Sequence, residues 1–237
     1  LPDKRIDLIF EVNEGPLIKI SKIKFIGNQE FSDRALRNVV VSRERKWYIF
    51  LTSNDKYDPA RLALDEQSLR QFYLQNGYAD FSILRSSGEL LPDRQGFVLT
   101  FHVDEGKQYT VSDIVINSEI ETVNNDILLA ESTLNIGDVY DVRYMDDTLT
   151  RITDKLGEYG FAFVNVEPDF ELDKENATLA LTINVGRAER NFVEEIRIVA
   201  NDRTLDRVIR RRFELVEGDS FNQLKLTNSI RNIRNLG

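Results

Sequence analysis

The run Phe72-Tyr73-Leu74-Gln75-Asn76-Gly77-Tyr78-Ala79-Asp80-Phe81 reads as the last turn of a helix, a glycine stop and the opening of a strand. Glycine ends a helix in the left-handed region without a Cβ clash, and flanking aromatics fold back over the helix they terminate. The same order of aromatic, glycine, aromatic and alanine returns in Leu156-Gly157-Glu158-Tyr159-Gly160-Phe161-Ala162-Phe163. Each copy is followed by a second strand that closes on a glycine turn. The chain therefore reads as a row of one repeated unit.

Around the first copy, Ile18 to Asn28 is a β-type run closed by Gly-Asn, and Ser32 caps a short helix carrying Leu36, Val39 and Val40. Asp58-Pro59 starts a longer helix whose stripe is Leu62, Leu69, Phe72 and Tyr73. Strands are expected over Ala79 to Ser86 and Gly96 to Glu105. In the latter, Phe97, Leu99, Phe101 and Val103 face one way and Val98, Thr100 and His102 the other. Glu105-Gly106 closes the unit.

The second unit runs through a strand (Val111 to Asn117), a short helix (Asn125 to Ala130) and a long helix (Asp141 to Tyr159). The long helix carries Val142, Met145, Leu149, Ile152, Leu156 and Tyr159 at steps of three and four. Strands Ala162 to Leu172 and Ala177 to Val185 complete it. A third unit opens with a strand over Phe192 to Asn201. Thr204 is expected to cap Leu205, Val208, Ile209 and Phe213, and Asn222 to cap Leu226, Ile230 and Ile233. It reaches Leu236-Gly237 where its own strand pair is expected to begin. Ahead of the first unit, Ile6, Leu8, Phe10 and Val12 alternate as the last strand of a preceding one.

Alignment on Ile23, Ile114 and Ile196 gives spacings of about 91 and about 82 residues, right for tandem small domains rather than a short solenoid repeat. The order β-α-α-β-β predicts an α+β fold. Each unit is a three-stranded mixed sheet with two helices on one face, the first and third strands parallel and the second antiparallel. The expected divisions are 1–15, 16–108, 109–190 and 191–237.

A 41% apolar, 30% charged composition is ordinary for a folded chain, and no run of about 18 apolar residues offers a membrane-spanning helix. The opening Leu1-Pro2-Asp3-Lys4-Arg5 shows no export-signal pattern. A net charge of −9 lacks the basic footprint that nucleic acid requires. Without cysteine there are neither disulfides nor thiolate metal ligands. The single histidine, His102, sits on the outward face of a strand, and Asp146-Asp147 lie on the polar side of a helix, pointing about 100° apart. No phosphate loop, nucleophile with a nearby histidine or metal-ligand cluster appears. Catalytic, metal and cofactor residues are accordingly not expected. Trp47, Tyr48 and Phe50, behind Arg43, Arg45 and Lys46, form an aromatic and basic insertion. It either touches a partner or membrane surface or covers an open end of the local core.

The ordered recurrence of Gly27-Asn28, Gly77-Tyr78-Ala79, Val103-Asp104-Glu105-Gly106, Tyr159-Gly160-Phe161-Ala162 and Asp206 to Arg211 with Glu217-Gly218-Asp219 resembles the periplasmic POTRA repeats of the BamA family of outer-membrane assembly factors. The resemblance covers the whole chain. It places Asp3 to Gly15 as the end of a second repeat, followed by a third, a fourth and part of a fifth, and implies a membrane β-barrel after Gly237. It further implies a periplasmic location, unfolded outer-membrane β-barrel proteins and accessory lipoproteins as partners, and no enzymatic activity. POTRA-bearing secretion transporters and organelle import pores share the fold and usually carry fewer repeats.

The third strand of the family's sheet is central, which leaves the first and second as edges, and an edge exposes unpaired N–H and C=O groups that an incoming strand can meet. Asp80, Phe81, Ser82, Ile83, Leu84 and Arg85 are that expected client edge. In the last repeat, the resemblance places a lipoprotein contact at Arg211, Arg212 and Glu214. Arg212 stands where the family commonly has an acidic residue, with Glu214 a candidate replacement.

Overall fold

Inward residues in the first strand fall at Ile20, Ile23 and Phe25, a step of three followed by a step of two. A strict strand alternates by two, and the extra residue is a β-bulge: the pairing register shifts between Ile20 and Lys22. The same device recurs in a later strand, where Val111, Ile114 and Ile116 point inward across a shift between Val111 and Asp113. The computed structural model describes residues 19–45, 56–94 and 96–235. The expected strand at Asp3 to Gly15 and the Trp47, Tyr48 and Phe50 insertion lie outside them.

Two units result. The first contains β1 (Ile20–Ile26), α1 (Asp33–Val39), most of α2 (Pro59–Gln75), β2 (Ser82–Leu90) and β3 (Phe97–Asp104). Its sheet order is β1-β3-β2, with β1 parallel and β2 antiparallel to the central β3. Ile23, Leu36, Leu69, Leu99 and Phe101 are buried. The expected α2 stripe contains an unexpected member: Asp65, four residues before Leu69, is fully buried. One of its carboxylate oxygens accepts from the Val41 and Ser42 amides at 2.7 and 2.9 Å, supplying acceptors where the chain leaves α1.

The second unit takes residues 73–81 and 106–237. It holds β4 (Thr110–Ser118), α3 (Asn125–Leu129), α4 (Val142–Glu158), β5 (Val166–Asp173), β6 (Thr178–Val185), α5 (Asp206–Arg210) and α6 (Gln223–Arg234). The sheet order β4-β6-β5 repeats the first unit's mixed topology. Asp141 caps α4, and Met145, Ile152 and Leu156 pack on Val111, Ile114, Leu179, Leu181 and Ile183. The α+β fold of mixed three-stranded sheets expected from sequence is the one found.

Three expectations need correction. The helix stop at Gly77 (φ +92°) does not lead straight into a strand: Tyr78 N donates to Tyr73 O, Phe81 N donates to Tyr78 O, and β2 begins at Ser82 rather than Ala79. The turn drops Tyr78 and Phe81 into the core, where the Phe81 ring stacks on Tyr73 with centroids 3.9 Å apart. In the last third, residues 192–201 form no strand; only an isolated bridge joins Phe192 and Ser220. A strand exists only through a partner, and the third strand that holds β1 and β4 has no counterpart beside residues 192–201 among those described. Thr204 is not the cap of α5; Leu205 holds that position without a side-chain bond.

Candidate functional site

With β3 and β6 central, four outer strands expose backbone, and their sequences treat that exposure differently. The outer side of β1 is filled. Arg45 N donates to Ile20 O at 2.8 Å, Ile23 N donates to Glu44 Oε1 at 2.9 Å, and Arg37 Nη1 donates to Ile23 O at 3.3 Å. A bridge between Lys19 and Lys56 extends the cover. β5 is blunted by composition: Pro168 lacks a donor, and Glu167, Asp169, Glu171 and Asp173 alternate along it.

β2 carries neither device. No loop or side chain among the described residues bonds its outer backbone, its sequence Ser-Ile-Leu-Arg-Ser-Ser-Gly-Glu-Leu is free of proline, and Leu84 is 69% exposed. A register shift between Ile83 and Arg85 makes Leu84 the bulged residue, thrust out of the ladder. Of the six expected edge residues, Ser82, Ile83, Leu84 and Arg85 lie in this strand. Asp80 and Phe81 lie in the turn before it and have other duties. The Asp80 carboxylate accepts from Lys107 N at 3.1 Å and from the Tyr109 hydroxyl at 3.0 Å, and Lys174 Nζ stands 3.8 Å away. Burial first, then the Asp80 hydrogen bond and charge, push the Tyr109 phenol up to about 12.

In the last third, Arg211, Arg212 and Glu214 are all exposed. Glu214 is tied inward: its carboxylate accepts from Asn228 and Asn232 of α6, and its own N–H donates to Ser229 Oγ. The residues that sequence reasoning missed are the neighbours Arg210 and Glu217. Their side chains pair at 2.8 Å, Arg210 Nη2 donates to Ile196 O at 3.0 Å, and Ile196 N donates to Glu217 Oε1 at 3.2 Å. Hydrogen bonding to its own backbone, then to Arg210, holds the Glu217 carboxyl below its usual range. The signal lay in the repeat itself, since Arg37 and Glu44 occupy matching positions around Ile23.

His102 is half-buried at the register position of Arg85 and Ile26, while Asp146 and Asp147 are exposed on α4. Among the described residues no group of carboxylates, histidines or cysteines is arranged to hold a metal. Glu105 is a buried carboxylate with a backbone duty: it accepts from Gln29 N at 2.6 Å and Glu30 N at 2.9 Å, closing the turn after β1.

The family model for POTRA, a surface antigen variable number repeat, matches residues 18–106, 109–186 and 192–237. The chain is 32% identical over 89% of its length to the outer membrane protein assembly factor BamA of Buchnera aphidicola and 27% identical over its full length to that of Neisseria meningitidis. It spans about a third of the length of these curated relatives, 34% and 30%. The crystal structure of Haemophilus influenzae BamA POTRA3-5 superposes with a TM-score of 0.74 at 25% identity, covering 95% of this chain and 89% of that one.

Proposed function

Because the chain belongs to the POTRA family, we propose that it works as a non-enzymatic periplasmic module of outer-membrane protein assembly and holds an unfolded β-barrel client through the outer edge of β2. The observation that carries this is the contrast within one sheet: β1 is covered by Arg37, Glu44 and Arg45, and β2 is open. At about 0.5–1.5 kcal/mol net per hydrogen bond, less the entropy of ordering the incoming chain, a few pairings give weak binding. Main-chain pairing is also tolerant of sequence, which suits a factor with many clients.

The module comprises repeats over 16–108 and 109–190, with 191–237 contributing to a further one and 1–15 to an earlier one. Accessory lipoproteins dock on the exposed Arg211, Arg212 and Glu214 face, and a membrane barrel of the same protein receives the client. No cofactor takes part. Proline placed singly at Ser82, Ile83 and Leu84 tests the edge: photo-crosslinking to an unfolded outer-membrane client should fall while amide spectra keep their dispersion. Undiminished crosslinking at all three positions would remove β2 from the mechanism.

A further inference from the structure

The three repeats set the same loop against the first strand. Arg45 N donates to Ile20 O, Gly137 N to Val111 O and Gly218 N to Val193 O, at 2.8, 2.7 and 2.7 Å. Each acceptor lies three residues before the aligned isoleucine, Ile23, Ile114 or Ile196. Immediately before the donors stand Glu44, Ile136 and Glu217, and eight residues before them stand Arg37, Leu129 and Arg210. In the outer two repeats the glutamate takes the isoleucine N–H and the arginine fills its C=O. Both arginines are steadied by an aspartate one turn earlier, Asp33 and Asp206.

The middle repeat keeps the geometry and replaces the chemistry. Its arginine and glutamate positions are Leu129 and Ile136, 40% and 66% exposed. The aspartate position is Asn125, whose amide donates to Ile116 O. The Ile114 N–H turns to the neighbouring Asp113 carboxylate at 2.8 Å, and its carbonyl has no loop or side-chain partner among the described residues. Where the other repeats carry two charged stoppers, the matching positions here hold two exposed aliphatic side chains, and the Ile114 carbonyl lacks the arginine that meets its counterparts.

We propose that this point on β4 is a second contact for extended polypeptide, in which one backbone N–H of an apolar segment bonds Ile114 O and an adjoining side chain packs between Leu129 and Ile136. An extended chain is the occupant that supplies a donor and an apolar side chain at neighbouring positions along a strand edge. The contact is short, because residues 137–140 already cover the start of β4 and Asn125 covers Ile116. It is an auxiliary grip rather than a full added strand. It shares with the β2 reading the premise that the chain binds unfolded polypeptide, and occupies a different sheet.

The probe is a soluble peptide of alternating valine and threonine with lysines at both ends, titrated into the isotopically labelled chain. Saturable shifts are expected at the Ile114 and Val115 amides and at the Leu129 and Ile136 methyls. Combining Leu129→Arg with Ile136→Glu installs the clamp of the other repeats and should weaken binding at this point about tenfold or more while β2 signals respond as before. The converse pair, Arg37→Leu with Glu44→Ile, should create peptide shifts around Ile23. Shifts confined to β2, equal affinity of the clamped variant, or the same methyl shifts on changing protein concentration alone would each overturn the proposal, the last by assigning the patch to a second copy.

Discussion

Arg210 and Glu217 meet at 2.8 Å across the backbone of Ile196, one holding its carbonyl and the other its N–H. Both side chains are partly exposed, so the ion pair alone contributes little to stability. Its consequence is local: the outward backbone of residue 196 is not available to another chain. Glu217→Gln should speed exchange of the Ile196 amide without moving the unfolding midpoint appreciably. Because the Glu217 carboxyl is held below its usual range, its contribution is complete above the ordinary carboxylate pKa and is lost as pH falls through the lowered one. Protection of the Ile196 amide should therefore drop on acidification, and a pH-independent amide would contradict the clamp.

Three glycines at positive φ give a graded series. A Cβ on Gly27 (φ +98°) runs into the Val103 carbonyl oxygen, backbone that has no room to retreat. On Gly77 it meets Val139 Cγ1 at 2.6 Å and Gln108 Cγ at 2.9 Å, side-chain atoms that can yield in part. On Gly137 (φ +92°) it meets nothing within 4 Å. Alanine at Gly137 should cost only the left-handed strain of about 1–2 kcal/mol, Gly77 more, and Gly27 about 3 kcal/mol or above. Urea denaturation with amide exchange read separately in each unit gives the order, and equal costs would refute it.

Periodicity made the helices, the glycine stops and the topology legible, because Met145, Ile152 and Leu156 or Leu179, Leu181 and Ile183 mark their faces without help from distant residues. The edge strand begins three residues later than its pattern implies, since the Tyr78 and Phe81 turn is fixed by burial of both rings, a tertiary event with no local signature. Asp65 was hidden for a similar reason. A carboxylate on an apolar stripe reads as a surface residue until the amides of Val41 and Ser42 are seen to need it. Glu217 was overlooked because its meaning lies in comparison with Glu44 rather than in its own neighbourhood.

Tyr109 and Asp80 make stability alkali-sensitive. The phenol titrates near its ordinary value of 10 when unfolded and at about 12 when folded, so the favoured form is the protonated one. The contribution is fully present below pH 10 and is lost as pH rises through the folded value. Burial also pushes the Tyr140 phenol up to about 12, so Tyr109→Phe should remove only part of the loss between pH 10 and 12 while lowering stability at neutral pH by about 1 kcal/mol through the missing hydrogen bond. Thermal melts across this range test both halves; a variant as alkali-sensitive as the parent would dismiss Tyr109 as a titrating group.

Charge and hydrogen bonding can be separated at Asp65. Its Oδ1 serves two amides, and its Oδ2 has no partner among the described residues. Asp65→Leu suits the apolar stripe of α2 by composition but strands the buried Ser42 N–H and the part-buried Val41 N–H, and the loss of their shared acceptor should cost about 1–3 kcal/mol, most of it at Ser42. Asp65→Asn keeps one carbonyl oxygen facing both amides and turns the new NH2 toward the position Oδ2 leaves. That variant should lie within about 1 kcal/mol of the parent. Denaturant midpoints for the pair decide the point: a leucine variant as stable as the asparagine one would mean that the two amides find other acceptors, and that Asp65 is not what fastens the exit of α1 to α2.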